Sequence, residues 1–161
     1  MIRCFIGLGA NLGDSRATLA AAIARLAAIA QPTLMAQSAF FRSAPIDSSG
    51  DDFCNAVVAL DTTLEAHALL DELQQIENDF GRQRPYPNAP RTLDLDLLLY
   101  GDQQITTPRL CVPHPRLHQR AFVLLPLLQL APEICLPRLG PASQFLAAVQ
   151  DQAIAKWCDP V

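Results

Sequence analysis

A leucine-rich segment that contains two aspartates constrains this chain more than any other feature. Residues 93–100 run Leu-Asp-Leu-Asp-Leu-Leu-Leu-Tyr. In a β-strand, residues two apart point to the same face, so Asp94 and Asp96 share one face and the alternating leucines share the other. We therefore predict a strand whose apolar face packs on a core and whose acidic face lines a cleft.

The aspartate pair predicts a magnesium site. Two carboxylates this close repel each other and lose hydration, so cations are expected to neutralise them. Side chains two apart on a strand lie roughly 6.5–7 Å apart, which suits two ions about 3.5–4 Å apart. Mg²⁺ takes one or two protein carboxylates and completes its shell with water and substrate phosphates, so the expected ligand is a polyphosphate. The alternative is an ion pair between these aspartates and Arg91 or another arginine.

Arginines concentrate on both sides of this strand in the sequence. Clusters of arginine often form only a solvated face, but here they flank the predicted metal site, where phosphate is expected. The six residues are Arg82, Arg84, Arg91, Arg109, Arg116 and Arg120.

Length and composition narrow the class of protein. The 161 residues suit a single domain over 1–161, and the net charge of −4 argues against a nucleic-acid-binding surface. The chain has no apolar run of eighteen residues and no signal-peptide pattern at its start, so we expect a cytoplasmic protein without membrane contact. A monomer is a separate expectation. Five cysteines without a Cys-x-x-Cys pair predict buried thiols.

Hydrophobic periodicity predicts the order β-α-β-β-α-β. Strands are expected over 2–9, 33–41, 53–60 and the aspartate run, with helices over 17–30 and 64–80. This order is typical of an α+β fold of the ferredoxin-like split type, an antiparallel sheet with helices on one face. The C-terminal third is predicted to be helical and extended, with a helix over 119–130 interrupted by Pro126 and a last helix over about 142–155.

Three other segments are expected to be turns or loops. The glycines of Gly7-Leu8-Gly9-Ala10-Asn11-Leu12-Gly13 have the spacing G-x-G-x-x-x-G, which favours a tight strand-to-helix turn over a dinucleotide-binding loop. Residues 43–52 are expected to form a mobile loop, and the proline-rich stretch 82–90 a loop beside the site. Asn55, inside an apolar strand, must have a polar partner or a ligand.

Several separated motifs resemble those of the 6-hydroxymethyl-7,8-dihydropterin pyrophosphokinases, folate-pathway enzymes that move a diphosphate from ATP to a pterin alcohol. The motifs follow the family's order over nearly the whole chain. They are the glycine segment ending in Asp14, Phe53-Cys54-Asn55-Ala56, Ile76-Glu77 with Gly81-Arg82-Gln83-Arg84, Pro90-Arg91-Thr92-Leu93-Asp94-Leu95-Asp96, and Val112-Pro113-His114-Pro115 with Arg120-Ala121-Phe122.

The resemblance implies a role for each matching residue. Asp94 and Asp96 would hold two Mg²⁺ ions that bridge the phosphates of ATP. Four arginines would meet phosphate oxygens, with Arg82 and Arg91 counted as catalytic: Arg82, Arg84, Arg91 and Arg120. Three further residues would belong to the ATP site: Gln74, Glu77 and His114. The pterin would stack between two aromatic rings beside one amide: Phe53, Phe122 and Asn55.

The chain departs from the family pattern at three places. Ala10 stands where a serine is common, Pro115 where some members have tyrosine, and the loop 85–89 lacks an Arg-Trp pair. Two alternatives remain open from the sequence, a pyrophosphokinase for a different pterin alcohol and a non-catalytic ferredoxin-like binding or regulatory domain. Comparing pterin analogues as acceptors would separate the first, and a lack of AMP release would indicate the second.

Overall fold

The structure is a computed structural model that describes residues 1–29, 34–44, 51–81 and 93–157. The first 100 residues hold five strands and two long helices within the described ranges, and the described residues after them form mostly short elements. The strands are β1 (Ile2–Ala10), β2 (Leu34–Gln37), β3 (Phe41–Ser43), β4 (Phe53–Thr62), β5 (Asp94–Tyr100), β6 (Ile105–Thr106), β7 (Cys111–Val112), β8 (Cys135–Leu136), β9 (Gly140–Pro141) and β10 (Ile154–Lys156). The helices are α1 (Ser15–Ile29), α2 (Ala66–Phe80), α3 (Ala121–Leu130) and α4 (Leu146–Val149).

The main sheet has six strands and is antiparallel in all its pairings. Its order is β10-β3-β4-β1-β5, and β2 also pairs with β4. Strand β1 lies between β4 and β5. In the unit β1-α1-β2, strand β4 lies between the two strands, and in the unit β4-α2-β5, strand β1 lies between them. This arrangement confirms the predicted α+β fold and the split β-α-β order.

Helices α1 and α2 pack on one face of the sheet. Buried residues recur on each helix at spacings of three and four, as expected for a helix with one face on a core. They are Leu19, Ile23 and Leu26 on α1 and Leu69, Leu73 and Ile76 on α2. They meet the side chains that alternate toward this face from β1, β4 and β5, among them Leu95 and Leu97.

The C-terminal third covers the opposite face of the sheet. The sequence prediction placed helices on one face only and did not assign this cover. Leu117, Leu124 and Leu127 are fully buried against Phe5 and Leu99 of the sheet. Helix α3 is apolar around most of its circumference and continues through Pro126, which is itself buried. The predicted interruption at Pro126 is therefore wrong, because burial of the ring compensates for the one helix hydrogen bond that proline cannot donate.

The predicted strand over 33–41 is two short strands separated at Ser38. The backbone N–H of Ser38 donates to the carbonyl oxygen of Val57 at 2.9 Å, and its Oγ accepts from the Val57 N–H at 3.0 Å. The hydroxyl thus replaces a backbone carbonyl in the ladder, and regular strand pairing resumes only at β3.

The predicted helix over 142–155 is also wrong. A 3₁₀ turn over Ala142–Phe145 leads into the single turn of α4, and the chain then becomes extended as β10. Strand β10 pairs with β3 and continues to Trp157, whose N–H donates to the carbonyl oxygen of Phe40. A free sheet edge offers unpaired backbone groups, and this pairing satisfies them.

The cysteine prediction holds for only two of the four described thiols. Cys4 and Cys54 are buried, whereas Cys111 and Cys135 are exposed, and all four are free thiols. Among the described helices, none is long and apolar enough to cross a membrane.

Candidate active site

Three neighbouring strands form the floor of the site. In the antiparallel register, Gly9 of β1 lies between Asn55 of β4 and Asp94 of β5, and Gly7 lies opposite Asp96. Residues that are directly opposite in a sheet share a face, so the amide and both carboxylates point the same way. Asp94 and Asp96 are half-buried, while the alternate leucines of β5 are buried on the other face. The predicted strand and its two faces are therefore confirmed.

The two glycines keep this floor open. A Cβ on Gly9 would lie 3.3 Å from Oδ1 of Asn55, and a Cβ on Gly7 would lie 3.4 Å from the Leu98 methyl groups. The prediction of a tight turn applies only to Gly13, which has φ +60°, because Gly7 and Gly9 lie within β1. Sequence reasoning missed their contribution to the site, since the signal lies in the pairing of strands.

A cavity of about 600 Å³ stands on this floor, between the sheet and the start of α3. Its volume is in the range that small-molecule sites occupy. The lining combines carboxylates, guanidinium groups and aromatic rings: Asp94, Asp96, Arg116, Arg120, Phe53 and Phe122. Arg116 was singled out in the sequence only as one of six clustered arginines, and the structure adds Gln119 and Gln152 to the wall.

Asn55 is held in place at one end of the cavity. Its side chain is 2% exposed, and its Nδ2 donates to Oγ of Ser43 at 2.6 Å. The bond leaves Oδ1 over Gly9, facing the floor of the cavity. Ser43 was expected to begin a mobile loop, but it is the buried last residue of β3, because β4 pairs with it through Phe53.

Arg120 and Phe122 lie side by side at the start of α3. Arg120 immediately precedes the helix, and its guanidinium carbon lies 5.5 Å from the centroid of the Phe122 ring. Arg116 precedes the 3₁₀ turn just before α3 and is exposed. The cavity therefore has positive charge on the helix side and negative charge on the β5 side.

His114 is bonded through its backbone to β5 and interacts electrostatically with Asp96. Its backbone N–H donates to the carbonyl oxygen of Leu98 at 3.0 Å, and its Nδ1 accepts from the Arg116 N–H at 3.2 Å. Burial lowers the pKa of His114 below its ordinary value, and the charge of Asp96 opposes this shift only in part. The imidazole is therefore neutral at pH 7, with its proton on Nε2. His114 adjoins the cavity and does not line it among the described residues.

Gln74 and Glu77 lie on α2, beyond the cavity lining that the structure describes. Oε2 of Glu77 accepts from the backbone N–H of Leu95, between the two aspartates, at 2.8 Å. Gln74 is exposed, and its Oε1 accepts from Nη2 of Arg109 at 3.2 Å. Glu77 thus fixes the start of β5 from behind, and a direct role of either residue in ATP binding stays a prediction.

Three predicted site residues lie outside the described residues, namely Arg82, Arg84 and Arg91, as does the loop 85–89. Their expected roles at the phosphates and in catalysis stay predictions. Glu77 and Asp94 each have a further interaction within the chain, so neither side chain is free.

The donor set fits magnesium. Within the described ranges there is no group of three or more His, Cys, Asp or Glu side chains that could hold a metal ion. A closed protein cage is thus absent there, and Asp94 and Asp96 supply two hard oxygen ligands that face an open cavity. Mg²⁺ is bound in this way when phosphate oxygens and water complete its shell.

An acidic strand, two arginines and two aromatic rings line one cavity, and side chains of these types suit a polyphosphate and a flat heterocycle. The family model for 7,8-dihydro-6-hydroxymethylpterin-pyrophosphokinase matches residues 5–132, and the chain belongs to this family. Enzymes of the family move a diphosphate group from ATP to hydroxymethyldihydropterin in folate biosynthesis, so the chain is an ATP-dependent diphosphotransferase.

Curated relatives cover nearly the whole chain. The chain is 38% identical over 157 residues to the 2-amino-4-hydroxy-6-hydroxymethyldihydropteridine pyrophosphokinase of Haemophilus influenzae, covering 97% of this chain and 98% of that one. It is 41% identical over 155 residues to the enzyme of the same name from Pseudomonas aeruginosa, covering 96% of each chain.

Solved structures support the fold. An HPPK-DHPS in complex with substrates matches with a TM-score of 0.71 at 14% identity, covering 92% of this chain and 43% of that one. The wild-type Plasmodium falciparum HPPK-DHPS with SDX-DHP matches with a TM-score of 0.70 at 13% identity, covering 94% and 45%. This chain therefore spans less than half the length of those longer proteins.

Proposed function

We propose that diphosphate passes from ATP to the hydroxymethyl oxygen of the pterin over the floor made by Gly7 and Gly9. The observation that carries this proposal is the register in which Gly9 separates Asn55 from Asp94. Neighbouring strands lie about 4.8 Å apart, so the amide and the first carboxylate stand on backbone positions about 10 Å apart. An acceptor held by Asn55 can therefore direct its alcohol toward phosphates held at the aspartates.

The pterin end is supported by one amide and two rings. Oδ1 of Asn55 can accept from the amino or ring N–H groups of a pterin, because the bond from Nδ2 to Ser43 orients the amide with Oδ1 over Gly9. Phe53 and Phe122 both line the cavity and offer flat faces on which a bicyclic ring can stack. In this proposal these three side chains select a flat heterocycle that carries hydrogen-bond donors.

Asp94 and Asp96 are proposed to hold two Mg²⁺ ions. The alternation of β5 places both carboxylates on the cavity face, and the glycines opposite them bring no side chain into the space. Bound Mg²⁺ would neutralise charge on the phosphate oxygens of ATP. Two ions, rather than one, are proposed because the spacing of the pair suits the size of a two-metal site.

Arginines are proposed to align the phosphates for in-line transfer. The pterin hydroxymethyl oxygen attacks the β-phosphorus of ATP and gives up its proton to solvent. The bond from that phosphorus to the oxygen it shares with the α-phosphorus breaks, and AMP leaves with that oxygen. No covalent enzyme intermediate is required, so catalysis consists of alignment and charge neutralisation. Arg120 and Arg116 face the cavity, and the sequence motifs assign the same task to Arg82, Arg84 and Arg91.

The remaining ATP-site residues are proposed to act at the edge of the cavity. His114, neutral and hydrogen-bonded through Nδ1, can donate from Nε2 to a phosphate oxygen. Glu77 holds the backbone between the two aspartates, and Gln74 lies one turn earlier on the same helix. We further propose that the protein works in the cytoplasm as a monomer, for which light scattering should give a mass of 17.5 kDa.

The function is tested by measuring AMP formed from ATP by the purified protein. The four conditions are with and without 6-hydroxymethyl-7,8-dihydropterin, each in Mg²⁺ and in EDTA. AMP is expected only when pterin and Mg²⁺ are both present, in a one-to-one ratio with pterin diphosphate. Release of ADP, or AMP formation that does not depend on pterin, would contradict the proposal.

A further inference from the structure

The start of α3 is buried and depends on an acceptor from outside the helix. Arg120 occupies the position that usually caps a helix, and it makes no capping hydrogen bond within the described part of the chain. A guanidinium group has only donors, so it is unable to accept from the helix N–H groups. Ala121, the first helical residue, is 2% exposed, so water does not satisfy its N–H.

Gln152 supplies that acceptor from the C-terminal segment. Its Oε1 accepts from the Ala121 N–H at 2.9 Å, across 31 residues of sequence. Its Nε2 donates to the carbonyl oxygen of Gln119, also at 2.9 Å. One carboxamide therefore binds the backbone on both sides of Arg120, which requires a donor and an acceptor on the same side chain.

The backbone of Gln152 is itself anchored on both sides. Its N–H donates to the carbonyl oxygen of Val149, a residue 3% exposed. The carbonyl oxygen of the next residue, Ala153, accepts from the Ala44 N–H, and β10 then pairs with β3. Strand β3 ends in Ser43, the partner of Asn55. The segment thus connects the pterin end of the cavity to the start of α3.

We propose that Gln152 is a positioning residue for diphosphate transfer, because its carboxamide fixes the backbone from which Arg120 and Phe122 reach the cavity. This inference rests on the proposed function of the cavity. Gln152 also lines the cavity, and it lies outside residues 5–132, which the family model matches. Its action is through Arg120 and Phe122, and it needs no contact with the reacting atoms.

The test is a double-mutant cycle with Arg120. Gln152→Met keeps the length and volume of the side chain and removes both hydrogen bonds. We expect kcat/KM for transfer to fall by about 10- to 100-fold, partly in kcat, since a misplacement of about 1 Å can cost about 100-fold. In an Arg120→Ala background, the same change should cost several-fold less, because only Phe122 remains of the two side chains that Gln152 positions.

Two further variants keep the test decisive. Gln150→Met is the matched control, because Gln150 is exposed two residues earlier and should retain wild-type kinetics. Gln152→Glu keeps the acceptor for Ala121 and loses the donor to Gln119. We expect this variant to fold even if Gln152→Met does not, and to show a reduced kcat. Thermal unfolding of each variant measures stability separately from the kinetic effect.

The outcomes distinguish this inference from the function on which it rests. Wild-type kinetics in both Gln152 variants, or equal losses with and without Arg120, would overturn the positioning role. Wild-type activity of Arg120→Ala alone would instead contradict the proposed task of Arg120. The inference would also be refuted if Gln152→Met lost activity only because it was partly unfolded and Gln152→Glu was fully active.

Discussion

Replacing Gly9 by alanine probes the floor of the cavity with one added methyl group. That methyl would lie 3.3 Å from Oδ1 of Asn55 and 3.9 Å from Cδ1 of Phe53. The first distance is shorter than ordinary van der Waals contact, so the amide must move by a few tenths of an ångström. Asn55 is 2% exposed and bonded to Ser43, so it has little room to move without loosening that bond.

Gly9→Ala is expected to weaken pterin binding by about as much as the loss of a hydrogen bond at a buried amide. Leaving such a group poorly paired costs about 1–3 kcal/mol, which corresponds to a pterin affinity about 5- to 150-fold weaker. Stability should change little, because alanine in a strand is about 0.5–1 kcal/mol more favourable than glycine and offsets the strain. The affinity for ATP should be retained, since the new methyl meets Asn55 and Phe53 at the pterin end.

Fluorescence titration of the pterin, with Mg²⁺ and a non-hydrolysable ATP analogue present, measures this affinity. Gly7→Ala is the matched control, because its methyl would meet only apolar atoms of Leu98, at 3.4 Å, and not Asn55 or Phe53. Thermal unfolding of both variants reports on the fold. An unchanged pterin affinity in Gly9→Ala, or an equal loss in Gly7→Ala, would refute the placement of the pterin over Gly9.

Two further predictions follow from pKa values. Burial raises the pKa of Cys4 to about 12 and that of Cys54 to about 11. A thiol reagent at pH 8 should therefore modify the exposed Cys111 rapidly, and Cys4 and Cys54 only after the protein unfolds. Mass spectrometry of protease digests measures the rate at each cysteine. Equal rates for all three would contradict their burial. Hydrogen bonds from the first turn of α2 lower the pKa of Glu65 in the folded protein. The Glu65 carboxylate therefore stabilises the fold fully above the pKa of a glutamate in the unfolded chain, about 4.3. This stabilisation is lost as the pH falls through the lower pKa that Glu65 has in the folded protein. Glu65→Ala should therefore be less stable than wild type in urea at pH 7, and a difference just as large at pH 3 would contradict this capping role.

Local patterns were sufficient to predict the main elements. The alternation of aspartate and leucine in β5 is a period-two signal that needs no knowledge of the partner strand. Helices α1 and α2 begin and end within about two residues of their predicted bounds, because their apolar spacing and end residues are local features. The order of these elements then favoured the split sheet.

Long-range pairing accounts for what the sequence did not show. Gly7 and Gly9 contribute to the site only because β1 pairs with β4 and β5, and a glycine run alone suggests a turn. Ser43 lies in a polar, proline-containing stretch and is ordered by its pairing with β4. A three-residue edge strand such as β10 has too short a pattern to be recognised, and its apolar residues were assigned to a helix.

The site shows the same division between local and long-range information. Motifs in the sequence were enough to select the carboxylates and the aromatic residues as site candidates, because their chemistry depends on the residue type alone. The two hydrogen bonds of Gln152 depend on a segment that returns to α3 from the end of the chain. A glutamine in a polar stretch carries no sign of that contact in the sequence.

The metal site is tested by the rate of AMP formation by Asp94→Asn and Asp96→Asn in saturating ATP, pterin and Mg²⁺. Each change keeps the size of the side chain and removes one negative charge from the cavity face of β5. We expect a loss of at least about 100-fold in kcat for each variant, with unfolding temperatures close to wild type, because charge neutralisation by bound metal supplies several kcal/mol to the transition state. Normal turnover by either folded variant would contradict the assignment of this acidic pair as the metal site.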